Sequence, residues 1–272
     1  MSKNINILGA NVYYQVAGTE AGEPALFLHG VPDSGDMWNP LIARLGSQLR
    51  AVAPDLPGLG RSTALADFDL SLENMARFVE SFRLTAGLTE PVHLFAHDFG
   101  GHYGLAWAVR HPEAVRSITI FNTSFFTSYR WHPNAQIYRV PLLGELTLRA
   151  INFNMFRKVV QNISPALTTE YLRGVFEMSY TKPSVRRMIL RLYRERNPVV
   201  DFAGWETELR ELNARIPSAV MWGDRDPFAA SNFAEQFGAQ HVYHFSDYGH
   251  WLPLEGPAAV AEKWLATVNA TK

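Results

Sequence analysis

The chain has no cysteine, no long apolar run and almost no net charge. The absence of cysteine from its 272 residues excludes disulfides, thiolate metal sites and cysteine nucleophiles, and favours a reducing compartment. No stretch approaches the roughly 20 apolar residues of a membrane-spanning helix, and the first residues lack the apolar run of a signal peptide. We therefore expect a cytoplasmic protein.

The formal net charge of −1 gives the molecule no overall electrostatic attraction for nucleic acid or for an anionic membrane, so we expect neither as a partner. The charge is unevenly distributed, however. Residues 122–213 hold 13 Lys and Arg against 8 Asp and Glu, whereas the remainder is acidic. This imbalance favours a separate basic layer with a solvated surface, and an anionic substrate is the alternative. We expect a small-molecule substrate and a monomer or homodimer.

Short apolar runs bounded by turn residues alternate with helical patterns in the first and last parts of the chain. The predicted strands are 5–8, 12–16, 25–28, 50–53, 92–96, 117–121, 219–222 and 242–245. Apolar spacings of three and four predict a helix over 71–87, with Ser71 as its cap and Gly87 as its stop. Further helices are predicted over 101–110 and 257–268. This alternation indicates a mainly parallel sheet covered on both faces, with ligands beyond the carboxyl ends of the strands.

Between residues 121 and 219 the pattern changes to helical periodicity, rich in arginine and aromatic residues, with breaks at Pro133, Pro141, Pro165, Pro183 and Pro198. We interpret this segment as an all-helical cap inserted between two strands. The predicted domains are a core of residues 1–121 and 214–272 and a cap of residues 122–213. The length suits one domain with such an insertion.

Asp98 lies in the sequence A-H-D-F-G-G, directly after a predicted strand. Small residues on both sides of a central side chain are typical of a nucleophile elbow, a strained turn that lifts the side chain above the sheet; its usual form is G-x-S-x-G. An aspartate before two glycines could also be a helix cap. Asp226 and His250 each follow a later strand, in the chain order nucleophile, acid, base. Asp224 is the second candidate for the acid.

These features together resemble the α/β-hydrolase fold over nearly the whole chain. The aspartate at the elbow and the early H-G-x-P loop resemble the epoxide hydrolase and haloalkane dehalogenase branch of that fold. The resemblance implies the α/β class, with a mostly parallel sheet flanked by helices and an inserted helical cap. It also implies that the backbone N–H groups of Val31 and Phe99 form an oxyanion hole. We expect no cofactor and no metal, because the spacing of His97 and His102 suits local packing better than metal binding.

A carboxylate nucleophile changes the substrate that we expect. Attack on an ester would give a mixed anhydride, whereas attack on a saturated carbon with a leaving group gives an ordinary alkyl ester. We therefore expect Asp98 to form an alkyl ester. His250 is the predicted general base that activates water to cleave the ester, and Asp226 orients and stabilises its imidazole. The N–H groups around Asp98 and the helix that follows it should favour its charged form.

The leaving group distinguishes the members of the branch. Related dehalogenases bind halide with an indole beside the nucleophile and often an Asn in the early loop, where this chain has Phe99 and Val31, whose side chains cannot donate hydrogen bonds. Fluoroacetate dehalogenases resemble H-D-R-G-G-R, where this chain has Phe99 and His102. These differences favour an epoxide substrate.

Opening an epoxide requires an acid, and Leu192-Tyr193-Arg194 resembles the late-cap Tyr-Arg motif of epoxide hydrolases, which makes Tyr193 the candidate. Its partner stays open among Tyr129, Tyr138, Tyr171, Tyr180 and His132. Dehalogenation with Trp131 or Tyr193 as halide donor is the alternative. Trp38 is a candidate for the pocket wall, although burial against the sheet is the commoner fate of such a tryptophan. A non-catalytic ligand-binding protein on the same scaffold is a further alternative.

Overall fold

The computed structural model describes residues 1–269, and a nine-stranded sheet forms its centre. The strands are β1 (Ser2–Ile7), β2 (Ala10–Gly18), β3 (Glu23–Leu28), β4 (Leu49–Pro54), β5 (Thr63–Ala64), β6 (Val92–His97), β7 (Val115–Phe121), β8 (Ser218–Gly223) and β9 (His241–Phe245). Their order is β1-β2-β4-β3-β6-β7-β8-β9, with β5 paired to β2. All pairings from β4 to β9 along this order are parallel, and those of β1 and β2 are antiparallel. The predicted mostly parallel sheet is confirmed.

The central strands are mostly buried because helices cover both faces of the sheet. Every residue of β6 and of β8 is buried. Each of the eight predicted strands overlaps an observed one. The two-residue β5 is too short to produce a period-two pattern, and the sequence analysis did not predict it.

Twelve α-helices accompany the sheet within residues 1–269. They are α1 (Asn39–Leu45), α2 (Leu72–Thr85), α3 (Phe99–Arg110), α4 (Pro133–Arg139), α5 (Leu143–Ala150), α6 (Phe153–Ile163), α7 (Thr169–Ser179), α8 (Pro183–Glu195), α9 (Pro198–Asp201), α10 (Trp205–Asn213), α11 (Leu252–Glu255) and α12 (Pro257–Asn269). The Ser71 hydroxyl accepts the Asn74 N–H at the start of α2, and Gly87 follows its end with φ +82°. No helix among the described residues has the length and apolar character that a bilayer span requires.

Seven of these helices, α4 to α10, lie between β7 and β8 in the chain. The last of them, α10, packs against α3, which itself covers the sheet beside α2. The predicted boundary at residue 213 therefore assigns to the cap a helix that packs on the core. The helices that precede α10 place a second layer over the carboxyl ends of β3, β6 and β8.

Candidate functional site

Asp98 occupies a sharp turn between the end of β6 and the start of α3. Its backbone has φ 49° and ψ −125°, a conformation that is strained for any residue with a Cβ. The turn closes only because its neighbours are small. A Cβ on Gly30 would lie 2.2 Å from the Asp98 Cβ, and a Cβ on Gly100 would lie 2.3 Å from the Leu28 carbonyl oxygen. The strain and the close approach together hold the carboxylate above the end of the sheet.

Two backbone N–H groups bind the Asp98 carboxylate. The Val31 N–H donates to Oδ1 at 2.7 Å, and the Phe99 N–H also donates a hydrogen bond to the carboxylate. The other oxygen, Oδ2, lies 3.9 Å from His250 Nε2. Burial raises the pKa of Asp98 above its usual range, although His250 and the two N–H groups act to lower it. The N–H groups thus have the expected effect, but burial outweighs them.

His250 and Asp226 meet directly beside Asp98. The Nδ1–H of His250 donates to Asp226 Oδ2 at 2.7 Å, which leaves Nε2 facing Asp98. Asp226 Oδ2 also accepts the Asn122 side-chain N–H at 2.9 Å, and Oδ1 accepts the Phe228 backbone N–H at 2.7 Å. Hydrogen bonds to both carboxylate oxygens thereby fix the orientation of Asp226.

Burial lowers the pKa of His250, but the adjacent Asp226 and then Asp98 raise it more, so that the pKa lies above its usual value of 6.5. The backbone of the same residue is held by His97, whose Nε2–H donates to the His250 carbonyl oxygen at 2.8 Å. The structure thus places His97 in a packing contact behind the site.

The other carboxylates near these loops have different partners. Asp224, the second candidate for the acid, lies 2.6 Å from His244 Nδ1 and does not contact His250. Glu255 accepts the Ser164 hydroxyl at 2.6 Å and the Gly249 N–H at 3.0 Å, and therefore fixes the loop before His250. The described residues contain no group of three or more His, Cys, Asp or Glu that could hold a metal ion.

A cavity of about 240 Å³ opens above Asp98 between core and cap. Its lining is mainly apolar and aromatic, with Asp98 and His250 at its floor. It is lined by Val31, Pro32, Asp98, His132, Asn134, Tyr138, Thr147, Ile151, Met155, Phe156, Val159, Val160, Tyr180, Ile189, Tyr193, Phe228, His250 and Trp251. A second chamber of about 10 Å³, enough for about one water, lies beside Asp98 and His250 and is also lined by Asn122 and Trp131.

The structure distinguishes which of the cap tyrosines, left as candidates by the sequence, face the cavity. The Tyr129 hydroxyl donates to the Phe228 carbonyl oxygen at 3.1 Å, and the Tyr171 hydroxyl donates to Asp33. Tyr138, Tyr180 and Tyr193 line the cavity. Burial raises the pKa of each of these three phenols, and for Tyr193 the charge of Asp98 adds to the effect. All three are therefore protonated at neutral pH.

Trp131 and His132 lie beside Tyr193. The Trp131 ring is parallel to that of Phe99, with centroids 5.9 Å apart, and its buried Nε1–H has no partner among the described residues. His132 Nδ1 accepts the Ala135 N–H at 3.3 Å, and burial lowers the pKa of His132 to about 4. His132 is thus a neutral imidazole whose Nε2 carries the proton.

Trp38 is not part of the pocket wall. It is fully buried against Phe27 and Phe121, with ring centroids 5.4 and 5.6 Å away. The indole packs against β3 and β7, so Trp38 has the buried position that is the alternative to a substrate contact.

A family model described as alpha/beta hydrolase fold matches residues 24–257. The chain belongs to the α/β-hydrolase family. It is similar to a cis-3-alkyl-4-alkyloxetan-2-one decarboxylase of Shewanella oneidensis, at 26% identity over 85% of this chain and 77% of that protein. It is also similar to epoxide hydrolase 3 of Mus musculus, at 24% identity over 92% and 71% of the two chains.

Among solved structures, a haloalkane dehalogenase of Bradyrhizobium elkani has a TM-score of 0.81 at 22% identity, over 100% of this chain and 99% of that one. Identity at this level shows the fold alone. The α/β-hydrolase relatives thus include both enzyme classes that the sequence resembles, and this chain is an α/β-fold hydrolase.

The sequence analysis missed two polar residues at this site. Asn122 was counted as the start of the cap, although it directly follows β7 at the carboxyl edge where ligands bind. Asp33 directly follows the H-G-V-P loop, and its carboxylate accepts hydrogen bonds from Tyr171 and from the Trp251 indole. The position of Asn122 after a strand could have identified it. No local pattern identifies Asp33, because its partners are distant in the chain.

Proposed function

We propose that this hydrolase opens an epoxide through an alkyl ester on Asp98 and releases a diol. The observation that carries the proposal is that a carboxylate, held as a nucleophile, and the Tyr193 phenol line the same apolar cavity. The Tyr193 hydroxyl forms no hydrogen bond with another described residue, so its proton is available to a ligand. Neither Val31 nor Phe99 has a side chain that could bind a halide.

In the first step, Asp98 Oδ2 attacks a saturated ring carbon and the bond from that carbon to the ring oxygen breaks. Oδ2 is suited to this role because Oδ1 is engaged by the Val31 N–H. The departing oxygen takes the phenol proton of Tyr193, with Tyr138 or Tyr180 as a second hydrogen-bond donor. The raised pKa values of these phenols keep them protonated until the alkoxide develops.

In the second step, His250 removes a proton from water, and the hydroxide attacks Cγ of the Asp98 ester. The oxyanion that forms is bound by the N–H groups of Val31 and Phe99. The ester C–O bond breaks, the leaving alkoxide takes the proton of the new Asp98 carboxyl group, and the imidazolium proton restores the Tyr193 phenol. The net reaction consumes one water for each diol. The chamber beside Asp98 and His250 has room for that water.

Formation of the ester also prepares His250 for its role. The charge of Asp98 contributes to the raised pKa of His250. Alkylation neutralises Asp98 and removes this contribution, which lowers the pKa of His250 and favours the neutral imidazole that activates water.

The experiment that tests the proposal is trapping of the ester with a panel of epoxides. His250→Phe should accumulate an Asp98 peptide whose mass is increased by that of the substrate, and turnover should fall by about 10²–10⁴-fold. Adding Tyr193→Phe to this variant should slow ester formation by about 10²-fold. In H₂¹⁸O, one turnover of the unaltered enzyme should place the label in Asp98 and leave the diol unlabelled.

His244→Phe is the matched control, because this histidine is partly exposed on β9 and pairs with Asp224 rather than with Asp226. It should turn over normally and form no lasting ester. An unmodified Asp98 peptide in His250→Phe, despite diol release by the unaltered enzyme, would contradict covalent catalysis. Turnover of none of the epoxides would overturn the proposed substrate class.

Dehalogenation is the second candidate, and the buried Trp131 Nε1–H without a partner favours it. Trp131 lines the small chamber beside Asp98, where a halide leaving a saturated carbon would need a donor. In that case haloalkanes should give halide and alcohol through the same ester on Asp98. Trp131→Phe should then slow ester formation from haloalkanes and leave epoxide opening unchanged.

The relative named as an oxetanone decarboxylase adds a third class of compound to the substrate panel. A four-membered lactone also has a saturated ring carbon bonded to oxygen, which Asp98 could attack. Loss of CO₂ with departure of Asp98 would give an alkene without water. Alkene from the lactone without diol from the epoxides would favour this reaction instead.

A further inference from the structure

The exposed apolar side chains of this protein are concentrated on one part of the cap. Of the thirteen large apolar side chains that are exposed within residues 1–269, seven lie between residues 137 and 159. We call them the apolar rim. Its members are Ile137, Val140, Leu142, Leu143, Leu146, Met155 and Val159. They belong to α4, α5, α6 and the turn between the first two.

The apolar rim is continuous with the mouth of the cavity. Met155 and Val159 are about half exposed, and they also line the cavity wall. Leu143 lies four residues before Thr147 on α5, so both occupy one face of that helix, and Thr147 lines the cavity as well. An apolar molecule that contacts the rim therefore has a direct path toward Asp98.

Leu142 is the most exposed member of the rim and has a strained backbone. Its side chain is 77% exposed, and its φ of +65° lies in the region that favours glycine. The exposed leucine side chain gains little burial within the folded chain to offset this strain. Strained positions of this kind are concentrated at sites of function, which suggests a contact outside the molecule.

Unpaired cations flank the rim. The exposed Arg149 and Lys158 and the partly buried Arg157 form no ion pair with the described residues. The only acidic residue between positions 130 and 163 is Glu145, and its carboxylate is bound by Arg194. Arg149 lies three residues after Leu146, and Lys158 three after Met155, so each cation shares a helix flank with an exposed apolar side chain.

We propose that the apolar rim docks on the surface of an anionic lipid bilayer. Apolar side chains surrounded by cations are the pattern by which surface helices bind anionic lipid, each cation adding to the attraction. A second copy of the chain is a poorer partner. A two-fold dimer would bring this surface against itself and would place the cations of one copy beside those of the other. The docking would admit apolar substrates from the lipid, a consequence that rests on the proposed function.

Net charge does not oppose this docking, because the attraction is local. Electrostatic interactions at a membrane fall off within a Debye length, about 8 Å at physiological salt. The rim cations lie on the same helices as the exposed apolar side chains, whereas the excess of acidic residues lies in residues 1–121 and 214–272. The expectation of no membrane partner follows from the total charge, which averages these two parts of the chain.

The test is co-sedimentation of the full chain with vesicles of phosphatidylcholine alone or mixed with phosphatidylglycerol. Binding should require phosphatidylglycerol and weaken at high salt. Leu142→Gln with Leu146→Gln should weaken it by about tenfold or more, since each leucine would be buried in lipid. Arg149→Gln with Lys158→Gln should weaken it about fivefold per charge. Leu65→Gln is the matched control, because Leu65 is 60% exposed on the core and should not affect binding.

Two results would overturn the proposal: no binding of the unaltered chain to either vesicle, or rim variants that bind as Leu65→Gln does. If instead the rim variants convert a dimer to a monomer in sedimentation equilibrium without changing vesicle binding, the rim is an interface between copies. All variants are assayed with a water-soluble epoxide, which reports the chemistry of Asp98 separately from docking. Failure of that chemistry would leave the sedimentation result unaffected.

Discussion

At the scale of single residues, the Asn122 carboxamide controls the carboxylate that faces His250. Its Nδ2 donates to both Asp226 Oδ2 and the Gly223 carbonyl oxygen, and its Oδ1 accepts the Gly223 N–H. These bonds lock the amide against β8, so its donor can point only at Asp226. The Asp226 oxygen that Asn122 binds, Oδ2, is thereby kept in the position where it also accepts the Nδ1–H of His250. Asn122 acts through Asp226 and is a positioning residue.

Asn122→Asp should impair catalysis in a manner that depends on pH. The change removes a donor to a carboxylate, worth about 1.5–3 kcal/mol, which corresponds to about a 10–100-fold loss of kcat. It also adds a negative charge near His250 to those of Asp226 and Asp98 and raises the pKa of His250 further, so the neutral base exists only at higher pH. The acid limb of the kcat profile should therefore move to higher pH.

Asn213→Asp is the matched control for this experiment, because Asn213 is also buried and its Nδ2 donates to the Phe237 carbonyl oxygen. It should lower stability without moving the pH profile. An Asn122→Asp variant that loses stability to the same extent, with an unshifted acid limb, would show that Asn122 is only structural.

The sequence predicts the residues whose chemistry and position after a strand coincide. Asp98, Asp226 and His250 have this property, and the structure brings them together. The cap tyrosines do not follow strands, so the sequence does not show which of their phenols faces the cavity. That depends on how α4, α7 and α8 pack. Tyr171 illustrates the difference, since its hydroxyl turns away to Asp33. Trp38 illustrates the opposite case, because this candidate for the pocket wall is fully buried against the sheet.

At the scale of elements, α7 is attached to the loop that supplies the Val31 N–H. The Ser179 hydroxyl donates to the Pro32 carbonyl oxygen, and the Tyr171 hydroxyl donates to the buried Asp33 carboxylate. The Trp251 indole donates to the other oxygen of Asp33 at 2.9 Å. Asp33 thus joins a cap helix to the residue that follows His250. Movement of α7 is coupled in this way to the loop that supplies the Val31 N–H and to Trp251, which follows His250.

Tyr171→Phe should weaken this connection between cap and core. It leaves a buried carboxylate with one fewer donor, which costs about 1.5–3 kcal/mol of the free energy of unfolding. Urea unfolding measures that loss. Tyr129→Phe is the matched control, since its hydroxyl donates to a neutral carbonyl at 3.1 Å and should cost about 0.5–1.5 kcal/mol. Equal losses in the two variants would mean that the charge of Asp33 plays no part.

The elements were predictable to different degrees for physical reasons. Buried parallel strands are continuous apolar runs between turns, and α2 has an apolar stripe with a Ser71 cap, so both leave a clear local pattern. The individual cap helices and the short β5 leave no clear local pattern. The packing of α10 on α3 is set by tertiary contacts between positions about 100 residues apart, which the local periodicity of α10 does not encode.

At the scale of the whole molecule, the buried Asp33 makes stability depend on pH. Burial raises its pKa from 3.8 to about 6, although the hydrogen bonds of Tyr171 and Trp251 and the charge of His250 act to lower it. Below pH 3.8 the carboxyl is neutral in both the folded and the unfolded chain. Between pH 3.8 and about 6 it ionises more readily in the unfolded chain. This contribution to stability is therefore present at low pH and is lost as the pH rises through about 6.

Asp33→Asn should remove this dependence, because the amide does not titrate and can still accept a hydrogen bond. With the pKa values of 3.8 and about 6, the free energy of unfolding of the variant relative to the unaltered protein should rise by about 2 kcal/mol between pH 4.5 and 7.5. Urea unfolding across this range measures the difference. Asp67→Asn, at an exposed position, controls for the loss of a carboxylate, and its difference should stay constant. A constant difference for Asp33→Asn as well would place the Asp33 carboxyl in contact with water, where its charge costs the folded chain nothing.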